Sequence, residues 1–192
     1  EGGCGVKTNA LIHPAHILIK NIKLVIVDVD GVLTDGTLYI DSQGCETKAF
    51  NVLDGTGISY LHRAGIKTAI ISGRTCAAVI HRAKELGIED VCQGVKNKID
   101  AYQQLREKYA LQDKEICYIG DDLIDLPVFY RVGFPVAVAN ATPMVKQHSA
   151  YVTKVRGGQG AVREVAEKIL KFQDKWHLIM ERYQKPPEKE GR

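Results

Sequence analysis

Leu24-Val25-Ile26-Val27-Asp28-Val29-Asp30-Gly31-Val32-Leu33-Thr34-Asp35 is the stretch that decides the fold. Four consecutive aliphatic residues read as a strand buried on both faces, the pattern of a parallel sheet. Open sheets of that kind bind ligands beyond the carboxyl ends of their strands. Here that end carries two aspartates one residue apart, followed by a glycine that lets the chain turn sharply. Carboxylates held this close raise each other's pKa and attract a divalent cation. One can serve as a nucleophile and the other as a proton donor, and crowding favours one retained proton.

A second stretch follows the same grammar. Glu115–Ile119 reads as another buried strand and runs into Gly120-Asp121-Asp122-Leu123-Ile124-Asp125. If the two strands are neighbours, Asp28, Asp30, Asp121 and Asp122 converge on one edge of the sheet. Gly-Asp-Asp can also be a plain turn and helix cap. That explains either cluster alone, but not both at matching strand ends. Every candidate ligand is a hard oxygen, which selects Mg²⁺ over softer metals.

The chain has 192 residues, 26% charged and 45% apolar, with a net charge of +3, which suits one globular domain with a real core. It has no lysine/arginine block and no basic stripe interleaved with aromatics, so nucleic acid is not the expected partner. No run has the length of a transmembrane helix and the start lacks a signal-peptide pattern. The five cysteines (Cys4, Cys45, Cys76, Cys92 and Cys117) are odd in number and form no Cys-x-x-Cys pair. They read as reduced thiols of a cytoplasmic protein.

Residues 1–20 form an N-terminal extension, 21–172 the main domain and 173–192 a tail in which a helix ends and disorder begins. Asp41-Ser42-Gln43-Gly44 is a hairpin signal between strands near Thr37–Ile40 and Glu46–Phe50. Asp54 reads as the N-cap of a helix through Arg63. Strands then alternate with helices: strand 67–71, helix 75–86, strand 91–92, helix 97–109, strand 115–119, helix 123–132, strand 135–139 and helix 143–148. This rhythm predicts an α/β, doubly wound parallel sheet with a hairpin inserted after the first strand. Arg156-Gly157-Gly158-Gln159-Gly160 interrupts it and reads as a hinge. One long amphipathic helix follows, with Val162, Val165, Ile169, Phe172, Trp176, Ile179 and Tyr183 on a single stripe. Its distal half, with Trp176, packs either on its own domain or on another subunit or an active site.

Four strand-end elements stand in order: Asp28/Asp30, Ser72, Lys98 and Asp121/Asp122. This set resembles the haloacid dehalogenase superfamily of phosphotransferases over about residues 22–170. The resemblance implies Asp28 as nucleophile, Asp30 as general acid and base, and Mg²⁺ held by Asp28, the Asp30 carbonyl and Asp121. It also implies Ser72 and nearby N–H groups on the phosphoryl oxygens, and Lys98 balancing charge at Asp28. Alternatives stand beside these roles. Ser72 could instead cap the following helix, Lys98 or its neighbour Lys96 could be surface charge, and Thr34 either contacts substrate or orders the loop. Asp122 and Asp125 read as supports behind the metal ligands.

The intervals between these motifs leave no room for a cap domain. Capless members with such a hairpin are typically oligomers, here expected as a homotetramer. The stretch 28–36, Phe50-Asn51-Val52 with Asp54-Gly55, Ser72-Gly73-Arg74 and the run 156–164 resemble the subfamily acting on 3-deoxy-D-manno-octulosonate 8-phosphate, in lipopolysaccharide sugar synthesis. In that resemblance Gly73 and Arg74 contact the substrate, and Arg74 can grip its carboxylate in a bidentate fork. Arg82 is expected to reach a neighbour's substrate, or else to be a solvated helix arginine. Leu53 departs from the arginine that many relatives carry before Asp-Gly. A phosphatase for a nine-carbon acid, a non-catalytic assembly domain and a phospho-aspartate receiver are the competing readings; Asp30 speaks against the last.

Overall fold

The computed structural model describes residues 19–184. In chain order the elements are β1 (Leu24–Val27), β2 (Tyr39–Ile40), β3 (Glu46–Thr47), α1 (Val52–Arg63), β4 (Lys67–Ile71), α2 (Ala77–Leu86) and β5 (Asp90–Cys92). There follow α3 (Lys98–Lys108), β6 (Ile116–Gly120), α4 (Leu126–Phe129), β7 (Phe134–Ala137), α5 (Pro143–Gln147), β8 (Tyr151–Val152), α6 (Ala161–Phe172) and α7 (Trp176–Gln184). Six strands form one sheet in the order β5-β4-β1-β6-β7-β8, and every pairing in it is parallel. Helices flank it, as the βα rhythm predicts.

The register explains where chemistry can gather. Val27 pairs with Ile70 of β4 and with Ile119 of β6. The three strands therefore end level, and Asp28, Ser72 and Asp121 leave the sheet at the same edge. All four residues of β1 are fully buried, and so are the apolar residues of β6. The aspartates thus emerge directly from the driest part of the core.

Several expectations are corrected. Asp54 caps a helix, but not its own. Asn51 is the N-cap of α1, its Oδ1 accepting from Leu53 N at 2.8 Å. The buried Asp54 carboxylate instead accepts from Gly160 N, Val162 N and Arg163 N at 3.1, 2.9 and 3.1 Å, and so caps α6 from across the interface. The glycine run is not a hinge. A Cβ on Gly157 would lie 1.8 Å from Gly31 O, and one on Gly158 (φ +68°) 2.5 Å from Asp35 N. These glycines permit backbone-to-backbone packing against the Asp28 loop, which Gly158 N clasps through Val32 O at 2.9 Å.

The expected helix 123–132 is a short 3₁₀ turn over Leu123–Asp125 followed by the single turn of α4. Asp125 turns its side chain back onto the preceding backbone, and Pro127 supplies no N–H. The hairpin ladder is shorter than predicted, because the chain leaves it after Thr47 and carries Lys48 inward. The long amphipathic helix is two helices. Asp174 adopts φ 55°, and Gln173 is held by the carbonyls of Ile19 and Ile22 at 3.0 and 2.8 Å. The break turns α7 back on its own domain: Trp176 and Tyr183 pack edge-on against Tyr60, and Ile179 is buried. Expectations for residues 1–18 and 185–192 lie outside the described residues.

Candidate active site

Asp28 follows β1 directly, its N–H bonded to Ile119 O at 3.0 Å. Its carboxylate is buried and lies 3.0 Å from the Lys98 ammonium. Lys98 begins α3 and is itself almost wholly buried, with Asp125 as its second partner at 2.6 Å. Ligand oxygens of Asp28, Asp121 and Asp125 all lie within 4.8 Å of one another. Gly31 sits against this group: a Cβ there would fall 2.0 Å from Asp121 Oδ2, and its φ of +89° favours glycine in any case.

Burial raises the Asp28 carboxyl to about 7, against the pull of Lys98. Burial, then Asp28 and Asp125, raise Asp121 to about 7 as well. Burial disfavours the Lys98 ammonium, but Asp28 and Asp125 outweigh it and raise Lys98. One ammonium among three carboxylates leaves negative charge in a dry site, and a divalent cation relieves it.

The three acids are not equivalent. Asp125 is fully buried and all its contacts are donors: Lys98 Nζ at 2.6 Å, Tyr118 OH at 2.7 Å, Asp121 N at 2.9 Å and Asp122 N at 3.2 Å. It orients the others and has little left to offer a metal. Asp28 and Asp121 carry the free carboxylate oxygens, so the donor set fits a hard cation.

The expected convergence of Asp28, Asp30, Asp121 and Asp122 is therefore corrected. Asp122 is exposed and caps the following turn through Leu123 N at 2.8 Å. The Asp30 side chain turns away from the cluster. It pairs with Lys48 Nζ, and Arg74 Nε stands 3.9 Å away.

Ser72 is buried after β4, its Oγ accepting from Arg74 N at 3.3 Å, and it caps no helix because α2 starts at Ala77 after Cys76. Gly73 is exposed, with 3.8 Å to the nearest atoms a Cβ would meet, so crowding does not require glycine there. The Thr34 hydroxyl is occupied within its own loop by Val29 O, Gly31 N and Gly36 N at 3.2–3.4 Å; that placement orders the loop rather than presenting the hydroxyl to a substrate. Arg82 is on α2 and its side chain reaches toward α1. It pairs with Glu85 at 2.8 Å and packs so close to Gly55 that a Cβ there would be 2.4 Å from Nη2. The structure does not bring it to the Asp28 cluster.

Sequence reading missed Lys48, Glu46 and Asn140. Asn140 bridges the two loops, donating to Gly31 O at 3.0 Å and accepting from Gly157 N at 2.6 Å. Glu46 and Lys48 could have been found, since the expected strand Glu46–Phe50 would place residues two apart on one face. Asn140 left no local signal.

A family model described as haloacid dehalogenase-like hydrolase matches residues 88–165. The 3-deoxy-D-manno-octulosonate 8-phosphate phosphatase of Yersinia pestis is 50% identical over 155 residues, covering 81% of this chain and 83% of that protein. The chain belongs to the haloacid dehalogenase-like phosphatases. Within that family, the Moraxella catarrhalis 3-deoxy-D-manno-octulosonate 8-phosphate phosphatase, solved with magnesium, phosphate and the free sugar acid, superposes with a TM-score of 0.86. It is 44% identical, over 88% of this chain and 98% of that one. The cobalt-bound Haemophilus influenzae phosphatase gives 0.80 at 42% identity, over 82% and 92%. Among the described residues of this phosphatase, no helix is long and apolar enough to cross a membrane, and Cys45, Cys76, Cys92 and Cys117 are free thiols.

Proposed function

We propose that this phosphatase hydrolyses 3-deoxy-D-manno-octulosonate 8-phosphate, with Mg²⁺ bound, by way of a phosphoryl group carried on Asp28. One observation carries the reading: a buried carboxylate at the sheet edge, 3.0 Å from the Lys98 ammonium and within 4.8 Å of Asp121. Asp28, Asp121 and the Asp30 carbonyl would hold the ion. When bound it supplies positive charge to offset the phosphate oxygens.

An Asp28 oxygen attacks phosphorus, the phosphorus–oxygen bond to the sugar breaks, and Asp30, paired with Lys48 before substrate binds, takes up a proton and passes it to the departing oxygen. Water then attacks the aspartyl-phosphate and yields its proton to Asp30, which frees phosphate and restores Asp28. Lys98 balances the charge on Asp28 as the bond forms. Ser72 and neighbouring N–H groups hold the phosphoryl oxygens. Arg74, half exposed at the opening, is the group suited to the sugar carboxylate. Relatives of this length that act on the same sugar phosphate support the substrate. Residues 21–172 would be the catalytic domain. A homotetramer would close the open site, and Arg82 would serve a neighbouring copy. The reaction would stand in cytoplasmic lipopolysaccharide sugar synthesis.

The test is phosphate release from a panel, with and without Mg²⁺ and with Asp28→Asn as the blank. The panel holds the octulosonate 8-phosphate, a nine-carbon sialic-type acid 9-phosphate and p-nitrophenyl phosphate. Preference for the first, lost without metal and in the variant, is the expected result. Preference for the nine-carbon acid would keep the mechanism and move the substrate. Activity on nothing would leave an assembly domain.

A further inference from the structure

A set of charges beside Asp30 is not used by the phosphoryl-transfer roles. Glu46 begins β3 and Lys48 directly follows that strand. The Lys48 side chain is only 2% exposed; its ammonium hydrogen-bonds Asp30 and forms an ion pair with Glu46 Oε1 at 2.6 Å, an oxygen that is buried and accepts no hydrogen bond. The other oxygen of Glu46, Oε2, takes Arg74 Nη2 at 2.8 Å. The four groups form an alternating ladder, Asp30–Lys48–Glu46–Arg74, buried at the lysine and open at the arginine.

Glu46 is held at Oε2 by a hydrogen bond from Arg74 and at Oε1 by the charge of the buried Lys48 ammonium. Lys48 and then Arg74 hold its carboxyl below the ordinary range. Burial works against the Lys48 ammonium, but Asp30 and Glu46 raise it. Glu46 is thus a rigid anchor, unlike a loose carboxylate that a ligand could displace. It engages one nitrogen of Arg74, and among the described residues Nη1 has no hydrogen-bond partner. A guanidinium held by one edge keeps its other edge for a ligand and loses less freedom on binding.

We propose that Glu46 and Lys48 are positioning residues that hold Arg74 as a pre-aimed fork, and so set this phosphatase's preference for phosphate esters that also bear a carboxylate. The proposal rests on the reading of Arg74 as the carboxylate-binding group. The hairpin is then part of the specificity apparatus of its own chain. The chemistry implied is a phosphomonoester whose carboxylate lies within reach of Arg74 while its phosphorus faces Asp28.

The experiment uses the full chain with Mg²⁺. It compares kcat/KM for the octulosonate 8-phosphate with kcat/KM for p-nitrophenyl phosphate, which has no carboxylate. Glu46→Gln is expected to lower that ratio about tenfold, through KM for the sugar acid. Lys48→Met should lower it in the same direction, because Glu46 loses its anchor, and Lys48→Arg should restore part of it. If Glu46→Gln fails to fold by circular dichroism, Glu46→Asp, which keeps the charge but shortens its reach, reads the same ratio. An unchanged or increased ratio, or an equal loss on both substrates, would overturn the proposal. Arg74→Ala separates the two layers. If it leaves the ratio unchanged, the reading of Arg74 fails and the proposal with it. If it lowers the ratio while Glu46→Gln does not, the positioning role alone fails.

Discussion

Asp125→Asn puts the site's internal scaffold to a quantitative test. The wild-type carboxylate accepts from four donors at 2.6, 2.7, 2.9 and 3.2 Å, with no exposure to water. An asparagine side chain of nearly the same shape has one acceptor oxygen and an amide NH₂. If the oxygen stays on Lys98 and Tyr118, the NH₂ faces the N–H groups of Asp121 and Asp122. If it flips, Lys98 and the buried Tyr118 hydroxyl lose their acceptor. Either way two donors are stranded, at about 1–3 kcal/mol each where buried. The bond to Lys98 also loses its charged partner. The expected loss is about 4 kcal/mol, in line with breaking one side of a buried ion pair. For a chain of this size that lowers Tm by about 8–16 °C. The assay is urea unfolding and calorimetry in chelator, so that metal binding does not contribute. Asp122→Asn is the control, because Asp122 is exposed and asparagine caps as well as aspartate; it should shift stability by less than about 0.5 kcal/mol. A loss below about 1 kcal/mol for Asp125→Asn would refute the assignment of Asp125 as the hub.

Three further outcomes follow from the same geometry. Gly31→Ala drives a methyl to 2.0 Å from Asp121 Oδ2 at φ +89°, so kcat/KM should fall by about 100-fold or more; near-normal turnover would show that the Asp28 loop can shift at little cost. Asp28 and Asp121, both raised to about 7, hold protons below that pH which Mg²⁺ must displace. Apparent Mg²⁺ affinity, read by titration calorimetry, should therefore fall about tenfold or more per pH unit below 7 and level off above it, whereas a flat profile from pH 5.5 to 7 would contradict the raised values. Asp54→Ala leaves three N–H groups at the start of α6 without their acceptor and should lower unfolding free energy by about 2 kcal/mol; a loss under about 0.5 kcal/mol would mean water caps the helix as well.

Lys48 and Asp54 show where local reading stops. Both are polar residues in unremarkable surroundings, and both proved to be buried contacts with distant partners. Asp54 looked like a cap by its neighbours in sequence, and it is one, for a helix more than 100 residues away. The break at Asp174 was hidden because the apolar stripe runs through it in register: periodicity records which residues want burial, but not where the chain bends to bury them.

What the sequence determined by itself was the sheet and its reactive edge. An unbroken aliphatic run followed by Asp-x-Asp-Gly, with Gly120-Asp121-Asp122 after a second such run, reads as two buried strands sharing a ligand-binding edge, because a turn or cap explains either acidic cluster alone but not both. Only the tertiary structure decided how the acids divide their roles. Asp125 became the scaffold, Asp122 a surface cap and Asp30 the partner of Lys48. Those roles depend on which donors from other elements reach each carboxylate within about 3 Å, and a side chain's partners in space are not written in the residues beside it.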